Sequence, residues 1–513
     1  DNIRLLKLDV GADEAAIEPH SAAIPVPKVK VAAWSPDGSA LAIVDPSKGV
    51  VVVEVVEGTK EGQQLVIQGS SKTTQGLFWS PLSSSLLTLA ALPKGSTEPN
   101  LQVWRRSSKD GCESGGGTGE YLCAASFHHP KLQNDRQVIK WTSDEQFCAR
   151  LTAEGNLHLH DGADPGGVPI ELEFPHAAQE FAFAPIRPKP PLQMRLAVFV
   201  PDVRDDLQRV AAPGEVAIWE VASLPPASTP QPRELQPRKR VSASVAAGQT
   251  ADLMWSPSGT AVLAHCMTEV DESGKSYYGG SRLVLVSHDG SAVKDFTDPD
   301  EFGAGGVTQA ASWSPTRDEF VLIRGFQPAQ VTLWTWDHRA RKVSMVKVLL
   351  EKAHRNTIRY NPFGSLVCLA GFGNLAGEMD FFGRLDDDRG DYLLVASAVA
   401  NCTVSAEWAP DGRHMLTAVL SPRMRVDNGV FVWRALAGMK VSELAADELY
   451  EVQWRPEPPD SLRFLDVSME EVERATKGFV DRTMKDGVGA KKQAYRPPKA
   501  RGAEGSSTVA AMM

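Results

Sequence analysis

Short apolar runs separated by polar turns recur along the whole chain at similar intervals. In each unit an apolar run ends in an aromatic residue, a turn related to Ser-Pro-x-Gly follows, and a second apolar run comes next, as in residues 31–44. Proline suits the second position of a type I turn and glycine the last, so this motif reverses the chain tightly. The pattern predicts pairs of antiparallel strands, each pair joined at an aromatic anchor.

The anchor repeats nine times, and its spacing predicts the fold. The anchors are Trp34, Trp79, Trp141, Phe183, Trp255, Trp313, Tyr360, Trp408 and Trp454. Five of the eight intervals between them measure 42 to 48 residues, which is the length of a four-stranded propeller blade. We predict an all-β fold: a single nine-bladed β-propeller over residues 1–466, with a C-terminal helix and a basic, mostly extended tail over 467–513. A solenoid or several small sandwiches are the alternatives.

Two features of the repeat predict how the ring closes and where it binds. The run 3–10 precedes the first anchor by more than one strand, so we expect it to join the last blade and remove the exposed edges. The loops between second and third strands, such as 371–377 and 421–429, vary most and would emerge on one face. That face is the expected binding face, although its glycine-rich loops could simply be turns that need a special φ.

Composition narrows the class of protein. Of the 513 residues 42% are hydrophobic and 23% charged, which suits a globular chain with a real core. The net charge of −10 argues against a protein that coats nucleic acid non-specifically. The six cysteines and eleven histidines show no metal-ligand spacing, so we expect reduced thiols and no metal or cofactor. With no apolar run of about 18 residues and no signal peptide, a cytoplasmic protein without membrane contact is expected.

Motifs of catalysis are missing from the sequence. It contains no G-x-S-x-G nucleophile elbow. The string Gly274-Lys275-Ser276 ends like a phosphate-binding loop, but Glu269 stands where that loop needs its first glycine. A binding scaffold is therefore favoured over an enzyme.

The C-terminal segment differs in charge from the rest. Residues 468–480 predict a short helix capped by Ser468, with Glu470, Glu471 and Glu473 near its positive end. From 482 to 501 seven cations face one anion, which indicates either an RNA-binding tail or a purely solubilising one. The basic string 238–240 is interpreted as a solvated loop, with a phosphate contact as the alternative.

Several specific strings resemble a known family. They are Ser276-Tyr-Tyr-Gly279, Gly325-Phe-Gln-Pro-Ala329, 369–377 (Leu-Ala-Gly-Phe-Gly-Asn-Leu-Ala-Gly), 422–429 (Pro-Arg-Met-Arg-Val-Asp-Asn-Gly) and Ala494-Tyr-Arg-Pro-Pro498. With these the chain resembles eukaryotic translation initiation factor 2A from about residue 30 to 500. The resemblance implies a nine-bladed propeller that binds the small ribosomal subunit and associates with initiator methionyl-tRNA, without a centre that hydrolyses GTP. It also implies a Lys-rich region beyond the last of these strings.

The candidate contacts with RNA or the ribosome are Lys275, Tyr277, Arg423, Arg425, Lys491, Lys492, Arg496, Lys499 and Arg501. Arginine can bridge phosphates and tyrosine can stack on unpaired bases. The alternative for Arg423 and Arg425 is a pair that anchors the loop, for instance with Asp427. The expected function is a non-catalytic initiation factor that is monomeric off the ribosome. Its partners would be the rRNA and proteins of the small subunit and initiator tRNA, with mRNA and other initiation factors beyond them. The alternative is a WD-repeat scaffold that binds proteins and touches no RNA.

Overall fold

In the computed structural model the chain folds into eight four-stranded antiparallel sheets and one helix among the described residues. The structure describes residues 2–485 except for 11–14, 20–23, 26–28, 30, 56–62, 108–119, 131–136, 186–192, 206–209, 224–234, 246–247, 269–279, 298–305, 386–389 and 458–462. The prediction of an all-β architecture is confirmed. Each sheet begins with the strand that ends at, or contains, one of the aromatic anchors.

The first four sheets run from residue 32 to 245. Their strands are Ala32–Trp34, Ala40–Asp45, Gly49–Glu54 and Gln63–Val66 in sheet 1; Thr74–Trp79, Ser85–Ala90, Leu101–Ser107 and Glu120–Phe127 in sheet 2; Ile139–Trp141, Phe147–Leu151, Leu157–Asp161 and Ile170–Leu172 in sheet 3; and Glu180–Phe183, Gln193–Val200, Gly214–Ser223 and Leu235–Val245 in sheet 4. A small hairpin, Val203–Arg204 with Val210–Ala212, interrupts sheet 4 between its second and third strands.

The other four sheets run from residue 250 to 445. Their strands are Thr250–Trp255, Ala261–Met267, Ser281–Ser287 and Val293–Asp295 in sheet 5; Thr308–Trp313, Glu319–Arg324, Ala329–Asp337 and Lys342–Ala353 in sheet 6; Thr357–Tyr360, Leu366–Ala370, Glu378–Arg384 and Tyr392–Val399 in sheet 7; and Ser405–Trp408, His414–Val419, Gly429–Arg434 and Met439–Ala445 in sheet 8.

Sheets pack face to face with their neighbours in sequence. The cluster between sheets 6 and 7 is typical: Val321 and Ile323 from one sheet meet Leu369 and Phe382 from the other. Equivalent clusters lie at each of the other junctions from sheet 1 to sheet 8. Central strands buried on both faces read as continuous apolar runs, such as Leu366–Ala370.

Anchor tryptophans join the first strands of neighbouring sheets. The indole N–H of Trp313 in sheet 6 donates to the carbonyl of Met254, the residue before the anchor of sheet 5, at 3.0 Å. Trp408 donates in the same way to Arg359 at 2.8 Å. Trp79 and Trp255 make the equivalent bonds to Ala33 and Ala182. The repeated aromatic residue therefore does more than fill space, because it satisfies a carbonyl of the preceding sheet.

Three junctions from sheet 1 to sheet 8 lack this bond among the described residues. Two of them have an anchor other than tryptophan, and the third has Trp141. Phe183 and Tyr360 carry no indole and cannot donate in this way. Trp141 has an indole, but its Nε1 is buried and finds no hydrogen-bond partner in the described part of the chain. The anchors thus differ in the hydrogen bonds that they make, although Trp141, Phe183 and Tyr360 each end a first strand.

Trp454, the ninth anchor, lies in a segment that forms no strand in the structure. Its indole still donates to the carbonyl of Glu407, the residue before the anchor of sheet 8, at 3.3 Å. On the other side the Nε of Arg455 donates to the carbonyl of Gly38 in sheet 1, at 2.7 Å. Residues 449–456 therefore contact both the last sheet and the first.

The N-terminal residues pair with each other. Leu6–Val10 is antiparallel to Ala15–Pro19, and Asn2–Ile3 to Ile24–Pro25. Ile3 and Ile24 pack against the apolar side chains of sheet 1, while Ala15–Pro19 lies beside Met439–Ala445 of sheet 8.

A helix, α1 (Met469–Lys485), follows the sheets and packs on sheet 7. Ser468 caps it as predicted, since its Oγ accepts from the N–H of Glu471 while Glu471 accepts from the N–H of Ser468. The helix is five residues longer than expected, so Arg482 and Lys485 belong to it and not to an extended tail. Fully buried Val472 packs against Gly383, where an added Cβ would lie 2.6 Å from the valine.

Candidate binding surface

Three loops that carry strings of the family resemblance lie at the same end of neighbouring sheets. They join second and third strands in sheets 6, 7 and 8 and comprise residues 325–328, 371–377 and 420–428. We call them the motif loops. The turns that contain Ser-Pro-x-Gly lie at the opposite end of the sheets, because the strands are antiparallel.

The first motif loop is joined to sheet 7 through Arg355, which precedes that sheet. The side chain of Gln327 donates to the carbonyl of Arg355 at 2.6 Å and accepts from its N–H at 3.1 Å. The guanidinium, only 6% exposed, reaches Glu378 at 3.1 Å and Asp380 at 2.6 Å. A buried cation is stable only with such partners, so Arg355 holds the first loop against the third strand of sheet 7.

Asn356 fixes the second motif loop from the same position. Its side chain donates to the carbonyl of Phe372 and accepts from the N–H of Phe372, both at 3.0 Å. Gly371 is required here, since an added Cβ would lie 2.1 Å from the carbonyl oxygen of His354. The backbone of this loop is therefore held by the side chain of Asn356 together with backbone bonds, such as the one from the N–H of Gly373 to the carbonyl of Thr403.

Arg423 links the second motif loop to the third. Its guanidinium donates to the side-chain oxygen of Asn374 at 2.9 Å, and it lies so close to Gly373 (φ +71°) that a Cβ there would be 3.2 Å from Nη2. Arg423 therefore does anchor a loop, but through an uncharged amide and not through Asp427. The third loop is in turn held to residue 449, because Leu449 donates from its N–H to Asn428 at 2.9 Å.

Four large apolar or aromatic side chains are exposed on or near these loops. Phe326 is 52% exposed, Val399 beside the second loop 53%, Val426 55% and Tyr450 58%. Arg425 is also exposed, and its side chain makes no ion pair or hydrogen bond with the described residues. We call this the motif-loop surface: Phe326, Val399, Arg423, Arg425, Val426 and Tyr450. The apolar members were not among the candidates, although Phe326 and Val426 stand inside the strings of the resemblance.

The remaining candidates lie elsewhere. Lys275, Tyr277, Lys491, Lys492, Arg496, Lys499 and Arg501 are outside the described residues. The basic string 238–240 is not a loop, because it belongs to the fourth strand of sheet 4. Lys239 pairs with Glu215 and Arg240 with Glu220, so two of its three charges are compensated within the sheet.

Cysteines and histidines assemble no site in the described ranges. No group of three potential metal ligands lies together there. Cys148, Cys266 and Cys368 are buried, and burial raises the pKa of Cys148 to about 12, which makes it an unreactive thiol. No described helix is long and apolar enough to cross a membrane.

A cavity of about 420 Å³ opens between the first strands of sheets 6, 7 and 8. Trp313, Arg359, Tyr360, Glu407 and Trp408 line it. Partial burial raises the pKa of Glu407, although its carboxylate accepts a hydrogen bond from the N–H of Trp454. The carboxylate thus helps to hold the last anchor, and the motif-loop surface remains the stronger candidate for binding.

The fold is that of a solved initiation factor. A structure described as "Crystal structure of the eukaryotic initiation factor" matches with a TM-score of 0.64 and 24% identity, covering 86% of this chain and 94% of that chain. This likeness defines the class by fold alone: an all-β protein of repeated four-stranded sheets.

Sequence comparison then gives the particular family. Residues 244–452 match the family model described as "Eukaryotic translation initiation factor eIF2A". The chain is 30% identical to eukaryotic translation initiation factor 2A of Dictyostelium discoideum, over 83% of this chain and 61% of that protein. For the Schizosaccharomyces pombe factor the values are 27%, 83% and 64%. The chain is thus similar to eukaryotic translation initiation factor 2A over most of its length, which confirms the resemblance, and it spans less than two thirds of the length of these two proteins.

A second factor is more distantly similar. One of the subunits of eukaryotic translation initiation factor 3 from Xenopus laevis is 22% identical over 431 residues, which is 84% of this chain and 54% of that protein.

Proposed function

We propose that the protein is a non-catalytic, cytoplasmic translation initiation factor. It binds the small ribosomal subunit and associates with initiator methionyl-tRNA and mRNA without hydrolysing GTP. The observation that carries the proposal is the family match over residues 244–452, because this stretch contains all three motif loops. The loops are held in one shape by contacts between sheets, which lowers the entropy lost on binding.

Two parts of the chain would contact the ribosome. Arg423 and Arg425 present uncompensated charge beside the motif loops, and Lys275 and Tyr277 belong to the equivalent loop of sheet 5 by sequence. The cations of the tail, Lys491, Lys492, Arg496, Lys499 and Arg501, would add affinity for phosphates that falls with rising salt.

The scaffold for these contacts would be one closed, nine-bladed propeller over residues 1–466. Support comes from Trp454 and Arg455, which bond to sheets 8 and 1 respectively, so residues 449–456 stand where a ninth first strand belongs. The N-terminal strands would complete that blade. Deleting residues 1–12 should then lower the melting temperature sharply, and an unchanged value would contradict closure.

Cosedimentation of the purified chain with purified small subunits tests the function. We expect binding that weakens with salt, and a shallower salt dependence in a variant that ends at Lys485, because the variant lacks the tail cations. An unaltered chain that does not cosediment at any salt concentration would refute the proposed function. Filter binding with initiator and elongator tRNA tests the tRNA association separately.

A protein scaffold without RNA contact is the second candidate. The exposed apolar side chains Phe326, Val399 and Val426 favour it. Crosslinking in cells distinguishes the two, since an initiation factor on the ribosome yields crosslinked RNA and the scaffold yields none.

A further inference from the structure

The motif-loop surface combines rigidity with an apolar outer side. Its three loops are joined by the side chains of Gln327, Arg355, Asn356 and Arg423, so its shape is set before any partner arrives. A surface that does not rearrange loses little conformational entropy when it binds. Phe326, Val399 and Val426 are exposed, and removing their apolar surface from water on binding favours association.

The charges on this surface are few and unevenly compensated. The first and second motif loops contain no ionisable residue. Arg423 is bonded to an uncharged amide, and Arg425 is exposed without an acidic partner in the described ranges. An acidic border adjoins the arginines in the chain: it comprises Asp427 in the third motif loop and the exposed Asp447 and Glu448 just before Tyr450, and it would repel a phosphate chain.

Protein recognition fits this composition better than RNA recognition. Aromatic residues and arginine are the side chains enriched in protein interfaces and in their energetic centres. Exposed valines add affinity for an apolar partner but offer no stacking face to a base. A tract of phosphates would in addition need more than two cations, and it would meet the acidic border.

We propose that the motif-loop surface docks a protein of the small ribosomal subunit, through an exposed apolar element of that protein that carries an acidic residue. The apolar element lies against Phe326, Val399 and Val426, and the acidic residue faces Arg425 and Arg423. This inference rests on the proposed function. Within it, the propeller recognises protein while the basic tail supplies the affinity for RNA.

Site-specific photocrosslinking on the ribosome tests which macromolecule is bound. A photoreactive phenylalanine analogue replaces Phe326 or Val426 in the full chain, which is then mixed with purified small subunits. The matched control carries the analogue at Leu82, which is 62% exposed in a turn at the opposite end of sheet 2. We expect crosslinks from positions 326 and 426 to one ribosomal protein and little crosslinking from position 82. Crosslinks to rRNA, or equal crosslinking from position 82, would overturn the proposal.

Charge reversal gives a second, independent readout. We expect Arg425→Glu to weaken cosedimentation with the small subunit about 10-fold or more, because the acidic partner is then repelled, and Arg425→Lys to retain most of the binding. The control is Arg339→Glu, an exposed cation in the turn between the third and fourth strands of sheet 6. Equal binding by the Arg425→Glu and Arg339→Glu variants would refute the docking surface. Absence of binding by the unaltered chain would instead refute the proposed function.

Discussion

The turns at one end of the sheets and the motif loops at the other make their hydrogen bonds in different ways. At the end with the Ser-Pro-x-Gly turns the same internal hydrogen bonds recur from turn to turn: Ser35 accepts from the N–H of Ala40 through Oγ and from that of Gly38 through its carbonyl, and Ser256 accepts in the same way from Ala261 and Gly259. Gly38 and Gly412, at the last position of the motif, have φ of +68° and +65°. Residues other than glycine rarely adopt such values. The turns can repeat because these internal bonds come from the motif itself, although further bonds join neighbouring turns, such as the one from the N–H of Ser258 to Asp318.

The motif loops at the other end depend on their neighbours. Gln327, Asn356 and Asn374 each bond to a residue outside their own loop. Such loops cannot repeat from sheet to sheet, since each one needs its own partner. The end with the repeated turns is therefore common to all sheets and part of the fold, whereas the end with the motif loops forms one particular surface.

The largest expected loss of stability comes from a substitution that separates the first motif loop from sheet 7. Arg355→Met leaves Glu378 and Asp380 without their cation, and removing one partner of a buried ion pair costs about 3 kcal/mol. The midpoint of urea denaturation should fall accordingly, while Arg339→Met, which alters an exposed arginine at the other end, should change it little. Equal midpoints for the two variants would mean that the buried pairs do not stabilise this end.

A smaller effect is expected from the anchor bond. Trp408→Phe removes an indole N–H that donates to Arg359, and a hydrogen bond of this kind contributes about 1 kcal/mol. Trp141→Phe is the matched control, because that indole is equally buried but has no partner in the described part of the chain. We expect the first variant to be less stable than the second by about 1 kcal/mol in denaturation experiments; a difference near zero would show that the anchors act by packing alone.

The docking of α1 at the end with the repeated turns should depend on pH. Hydrogen bonds from Arg413 lower the pKa of Glu471 to about 2. A carboxyl whose pKa is depressed on folding stabilises the fold above its unfolded pKa and loses that contribution as the pH falls toward the folded pKa. The unaltered chain should therefore lose its advantage over Glu471→Gln between about pH 4.5 and pH 2. An advantage that persists at pH 2 would contradict this pairing.

The smallest effect on stability is expected on the motif-loop surface itself. Phe326→Ala and Val426→Ala remove exposed side chains, so the denaturation midpoint should correspond to a change within about 0.5 kcal/mol. Both variants should nevertheless bind small subunits more weakly. A large loss of stability would mean that these residues belong to the core and not to a binding surface.

The repeated strands and turns could be predicted from the sequence, whereas the contacts that occur only once could not. Spacing and turn chemistry placed the first strands and the turns after them, and the cap at Ser468 followed from a local motif. The bonds of Arg355 to Glu378 and Asp380 could not be predicted, because Arg355 precedes sheet 7 and its partners lie more than 20 residues further along, in the third strand of that sheet. Trp454 shows the same limit: its aromatic anchor was recognisable from the sequence, but its bond to sheet 8 and that of Arg455 to sheet 1 were not.

At the motif-loop surface, only the two charged residues were predicted from the sequence. Arg423 and Arg425 were chosen for their charge, and the structure places both beside the motif loops. Phe326, Val399 and Val426 were missed, since an apolar residue in a repeat protein is usually buried and only the three-dimensional arrangement reveals its exposure. The residues of the tail remain a prediction.

Cosedimentation with small ribosomal subunits shows whether the unrepeated end of the sheets is the binding end. Three chains are compared: the unaltered protein, the double variant Phe326→Ala/Arg425→Ala, and the double variant Leu82→Ala/Arg339→Ala from the other end of the sheets. If the unrepeated end builds the binding surface, the first double variant binds at least about 10-fold more weakly and the second binds like the unaltered chain. Equal binding by the two double variants, or loss confined to the second, would contradict the account.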